Sequence, residues 1–105
     1  MYFEKKPKFN IEVKDIDQLA VWRHILGINI DVGKVFATTL RNDTTPDCRI
    51  KEYNGNLVYY DKPGRYLHGH SCFKAWMTIN NVDFPTALRQ IAEKVPINSV
   101  KLICT

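Results

Sequence analysis

Cys48-Arg49-Ile50-Lys51-Glu52-Tyr53-Asn54-Gly55-Asn56-Leu57-Val58-Tyr59-Tyr60-Asp61 is the stretch on which the fold turns. Two runs rich in strand-forming residues flank Asn54-Gly55, a dipeptide that tolerates the positive φ a type I′ turn demands at both central positions. The stretch predicts a β-hairpin in which Tyr53 pairs with Asn56, so that every cross-strand pair of residue numbers sums to 109. Period-two alternation then sorts the side chains, because a slip of one residue would exchange the faces. One face holds Cys48, Ile50, Glu52, Leu57, Tyr59 and Asp61; the other holds Arg49, Lys51, Tyr53, Asn56, Val58 and Tyr60. The first is the more apolar and is expected to meet helices. The second sets two cations beside two tyrosines and continues into Lys62, Arg65 and Tyr66.

Helix signals lie on both sides of the hairpin. Upstream, a helix starts at Asp15 or Asp17 and stops at Gly27, with Leu19, Trp22, Ile25 and Leu26 at helical spacing. Ile28 to Phe36 is an apolar stretch broken by Asp31 and Gly33, and 41–47 is a polar loop. Downstream, Lys62-Pro63-Gly64-Arg65 reads as a turn. Ser71 then caps a helix with Phe73, Trp76 and Met77 on one face. Asp83 caps another, carrying Phe84, Ala87, Leu88, Ile91 and Ala92 inward, with Pro85 accommodated in its first turn and Pro96 ending it. Phe9, Ile11 and Val13 alternate as in an extended segment, and Ser99 to Ile103 has the pattern of an edge strand. The expected class is α+β: a small antiparallel sheet packed with about three helices, as one domain over 1–105.

Composition sets outer limits. A chain of 105 residues with 45% hydrophobic content supports one core rather than two, and argues against disorder. No apolar run reaches the ~18 residues of a membrane span. The N-terminal Met1-Tyr2-Phe3-Glu4-Lys5-Lys6-Pro7-Lys8 lacks the apolar core of a secretory signal, so a cytoplasmic location is expected. Three cysteines, Cys48, Cys72 and Cys104, without a CxxC pair read as buried small hydrophobes in a reducing compartment. Fifteen Lys plus Arg against eleven Asp plus Glu give +4, which permits a phosphate-bearing partner.

Cations meet phosphates and aromatic rings stack on unpaired bases, so the second face of the hairpin suits single-stranded nucleic acid. The plainer reading is that Tyr and Lys are ordinary exposed strand residues. The residues expected to carry binding are Arg49, Lys51, Tyr53, Tyr60, Lys62 and Arg65. No catalytic constellation, phosphate-cradling glycine loop or cofactor motif is present, so no enzyme activity and no cofactor are expected. His68, His70 and Cys72, with Cys48 nearby, make a weak candidate metal site, against the plainer reading of a turn into a helix. A Cys–His nucleophile from the same residues is weaker still, since no orienting third group is implied. His24 reads as a surface residue, and Asp15, Asp17, Asp43, Asp47 and Asp83 as caps and turn formers.

The order Val35-Phe36-Ala37-Thr38-Thr39-Leu40-Arg41-Asn42-Asp43-Thr44-Thr45-Pro46-Asp47-Cys48, then the hairpin, then Gly64, Gly69 and the Ser71–Met77 and Phe84–Ala92 helices, resembles the zinc-ribbon domain of bacterial and phage DNA primases over about residues 26 to 93. The resemblance places the family's ligand pairs at Thr38 with Arg41 and near Asp61 with Gly64, which hold no Cys or His set. It therefore implies a metal-free form, as in primase-like proteins of phages and mobile elements that carry an Arg-x-Asp-x-x-Pro loop. It also implies a role in replication without primer synthesis. A repurposed alternative is a protein-interaction module, an inhibitor or adaptor of a replication or host protein. An ion pair from Arg41 to Asp61, with Asp43 competing for the arginine, is the expected replacement for the metal.

Overall fold

The computed structural model describes residues 12–40 and 45–95. Helix α1 (Gln18–Leu26) begins where the Asp17 side chain accepts the Ala20 N–H at 3.2 Å. It ends at Gly27, whose φ of 72° is the left-handed geometry that glycine adopts without steric cost. Strands β1 (Arg49–Tyr53) and β2 (Asn56–Tyr60) form the antiparallel hairpin, in register Arg49 with Tyr60 through Tyr53 with Asn56. Every pair sums to 109, as the sequence predicts. Asn54 and Gly55 have φ of 51° and 82°, as the I′ turn requires.

Helix α2 (Cys72–Asn80) is capped by Ser71, which accepts the Lys74 N–H at 3.2 Å, and stops at a left-handed Asn81. Helix α3 (Phe84–Lys94) is capped by Asp83, which accepts the Thr86 N–H at 3.0 Å. The domain is thus α+β, three helices against a two-stranded antiparallel sheet. Among the described residues no helix is long and apolar enough to cross a membrane.

Tyr59, Ile50 and Cys48 on the first hairpin face share one buried core with Trp22 and Val21 of α1, Cys72 and Ala75 of α2, and Ile91 of α3, which packs on α2. Trp22 and Tyr59 stack with centroids 5.4 Å apart, a geometry that adds to the burial of both rings. The Trp76 indole N–H reaches Gln90 Oε1 at 2.9 Å and ties α2 to α3.

Three expectations need correction. Val13 is not in an extended segment: Val13–Asp15 is a single 3-10 turn, closed by the Asp15 carboxylate on the Glu12 N–H. Phe84 does not face inward; it remains 38% exposed, with its ring edge-on to Phe73 at the end of α3. Val58, assigned to the exposed face, is only 7% exposed, because Ser71 pairs alongside it. Phe9, Ile11, Arg41, Asp43, Pro96 and Ser99 to Ile103 lie outside the described residues.

Candidate nucleic-acid interface

The hairpin's backbone edges determine how anything can approach it. Leu57 turns its N–H to Gln18 Oε1 at 2.8 Å, and its carbonyl accepts the Trp22 indole N–H at 2.9 Å. Tyr59 gives its N–H to the His70 carbonyl at 3.1 Å and takes the Gly69 N–H at 2.7 Å. On the other side, Phe36 and Cys48 exchange both backbone bonds at 2.8 and 3.0 Å, and the Ile50 carbonyl accepts the Gly33 N–H at 2.8 Å. These groups are what an added strand would need. With them satisfied internally, the hairpin is left open mainly on its outer face and at its turn end.

On that face Arg49 is exposed opposite Tyr60, and Lys51 is exposed opposite Val58. The Lys51 ammonium stands 4.9 Å from the centroid of the half-buried Tyr60 ring, within cation–π range. His68 meets the same ring edge-on at 5.4 Å. Tyr53, at the turn end, is 60% exposed. Lys62 and Arg65 are exposed in the loop after β2, beside Tyr66 at 51%. Arg49, Lys51 and Tyr60 therefore form one patch, and Tyr53 lies two residues beyond Lys51 on the same face, at the turn end of β1.

The loop that carries Lys62 and Arg65 is closely held. The Asp61 N–H donates to His68 Nδ1 at 2.9 Å, which fixes that imidazole nitrogen as an acceptor. Arg65 N–H reaches the Asp61 carbonyl at 2.8 Å, and His68 N–H the Arg65 carbonyl at 3.1 Å. Arg65 and Leu67 adopt φ of 66° and 62°, a left-handed region that costs a non-glycine residue about 1–2 kcal/mol. Leu67 is nevertheless anchored, since its side chain is buried in the core.

Behind the face lies a polar group that sequence reasoning did not foresee as a unit. Thr38 Oγ1 accepts the Leu40 N–H at 3.1 Å and stands 2.6 Å from the Tyr59 hydroxyl, which in turn lies 3.0 Å from Asp61 Oδ2. Asp61 Oδ1 accepts the Gly64 N–H at 3.0 Å. A phenol has one proton, and a carboxylate is its best acceptor, so the chain runs from Thr38 to Tyr59 to Asp61. Burial pushes the Tyr59 phenol far up and the Cys48 thiol to about 11. Thr38, Asp61 and Gly64 are three of the four positions that the resemblance assigns to metal ligands; Tyr59 links the first two, and Asp61 holds the third.

No family model, curated protein or solved structure matches this chain.

Among the described residues, the potential metal donors that converge are Asp47, Cys48 and Asp61, within 4.8 Å of one another. Their chemistry fits zinc poorly: the Cys48 thiol resists ionisation, and both Asp61 oxygens already accept hydrogen bonds. His68, His70 and Cys72 do not assemble as candidate ligands. His68 Nδ1 is engaged, and Cys72 is buried in the first turn of α2 with its thiol pushed up to about 12. His70 is held below its ordinary value by burial first and by Lys74 second. His24 is exposed and stacks on Trp76 at 5.5 Å.

Proposed function

We propose that this domain is a non-catalytic nucleic-acid-binding module, acting in the cytoplasm in phage or mobile-element replication and related to the primase zinc ribbon in a metal-free form. The observation that carries the reading is the patch of Arg49 and Lys51 around Tyr60, with exposed Lys62 and Arg65 in the adjoining loop. A net charge of +4 adds long-range attraction for a polyanion. The convergence of Thr38, Asp61 and Gly64 on one buried network supports the relationship, because a ribbon that lost its ion needs another tie at that place.

Single-stranded DNA is the expected ligand, held weakly and with strong salt dependence. Neutralising Arg49 and Lys51 together should flatten the slope of log affinity against log salt by about 1 to 2 units, at ~0.7 per contact. An unchanged slope in the double mutant rules this face out.

The second reading, a protein-interaction module, is favoured by one separate observation: an open groove of about 590 Å³ lined by Val13, Phe73, Met77, Val82 and Phe84, with Lys74 at its side. Binding there would be insensitive to the Arg49 and Lys51 changes and only weakly sensitive to salt, so the same titration separates the two readings.

A further inference from the structure

The two tyrosines of the outer face stand in different surroundings. Tyr60 is half-buried, with the Lys51 ammonium over its ring at 4.9 Å and His68 against it at 5.4 Å and 87° between planes. A ring so engaged has little free face left for a base. Tyr53 is 60% exposed, and among the described residues no ring or cation contacts it. Its partner Asn56 is a small side chain whose Oδ1 is drawn aside by Gln18 Nε2 at 3.1 Å. The exposed Asn54-Gly55 turn beyond it adds no bulk. Lys51 and Tyr53 lie two residues apart on one face of β1, about 7 Å along the strand. That is a span over which one nucleotide can set its phosphate on the ammonium and its base on the ring.

We infer that Tyr53 is the platform on which one unpaired base stacks, and that Tyr60 is a positioning residue that holds Lys51 over the face for the neighbouring phosphate. This rests on the nucleic-acid reading above and deepens it. The ligand is a strand with at least one unstacked base, rather than a continuous duplex, whose bases offer no free ring surface except at its ends. The roles are unequal: Tyr53 reads the presence of a base, whereas Tyr60 acts through Lys51 and is indifferent to it.

The full chain is titrated at low salt with a fluorescent thymidine oligomer and with an abasic deoxyribose-phosphate strand of equal length. Stacking contributes roughly 5- to 150-fold per base, so the thymidine strand should bind tighter by a factor in that range. Tyr53→Ala should abolish the preference while keeping the salt slope, and Tyr53→Trp should restore it. Tyr60→Leu should weaken both strands alike, and Tyr60→Phe, which keeps the ring, should rescue both. Equal affinity of the wild type for the two strands, or a preference that survives Tyr53→Ala, overturns the assignment of Tyr53 while leaving phosphate binding intact. Failure of Tyr60→Leu to weaken either strand overturns the assignment of Tyr60. Binding of neither strand at low salt overturns this inference together with the reading on which it rests.

Discussion

The two ends of the hairpin are held by different means. At the open end, Tyr59 and Asp61 are buried and locked to Thr38 and Gly64 by a chain of hydrogen bonds that joins two separate parts of the sequence. At the turn end, order comes from two residues with positive φ and from Gln18, which bonds Asn56 and Leu57. The turn itself is specified by two adjacent residues and left exposed, with Gln18 bracing the strand beside it. The open end depends on distant partners and excludes water. A substitution at one should therefore be a matter of stability, and at the other a matter of binding.

The largest effect should come from the buried end. Asp61→Ala strands the Gly64 N–H and leaves the Tyr59 hydroxyl with only Thr38 and Cys48, which should cost on the order of 3 kcal/mol in urea unfolding. Tyr59→Phe should cost less, about 1 to 2 kcal/mol, since it takes one hydrogen-bond partner from Thr38 and one from Asp61 without opening a cavity. A loss under 0.5 kcal/mol for both would mean that the network does not hold this end.

Next in size is the loop after β2. Arg65→Gly relieves a left-handed φ and should raise stability by about 1 kcal/mol. The same change removes a cation and should lower the salt slope of binding by ~0.7. Opposite signs in the two measurements would show that the loop holds strain for the sake of its charge. A fall in both would place Arg65 in the scaffold instead.

The smallest effect belongs to the acid limb and serves as a control away from either end. The Asp83 carboxyl is held below its ordinary 3.8, first by the Thr86 side-chain hydroxyl and next by the Thr86 N–H, because the ionised form accepts both hydrogen bonds best. The cap therefore contributes in full above the unfolded value and is lost as pH falls through the lowered one. Asp83→Asn, which still caps but does not titrate, should flatten that part of the stability curve and leave neutral pH nearly unchanged. An acid limb as steep as that of the unsubstituted protein would contradict it.

Much of the fold was legible where the determinants are local. Asn54-Gly55 set the turn and through it the whole register, and Asp17, Ser71 and Asp83 marked the helix starts by the same short-range capping chemistry. Phe84 misled because an apolar residue at the right period still lies beside the end of its helix, where there is no core to enter. Val58 misled because alternation tells which face a residue is on, but not that Ser71 returns to cover it. The site was half legible. Period two separated the cations from the core, yet the engagement of Tyr60 by Lys51 and His68 depends on a loop whose path no local rule dictates. The Thr38–Tyr59–Asp61 chain joins residues 21 positions apart, and only the family resemblance hinted that Thr38 and Asp61 would meet.

Gln18 and Trp22 occupy the outward backbone groups of Leu57 from α1, which makes that helix a guard on β2 as well as a wall of the core. If α1 lifts away, the Leu57 N–H and carbonyl are bared within an uncharged Asn-Leu-Val-Tyr-Tyr strand, while Tyr59 keeps its bonds to His70 and Gly69. Such a strand is the kind that recruits copies of itself into cross-β stacks. During folding, docking of α1 is then the step that closes the aggregation-prone window, and changes that fray α1 should first appear as insolubility rather than as loss of the native fold.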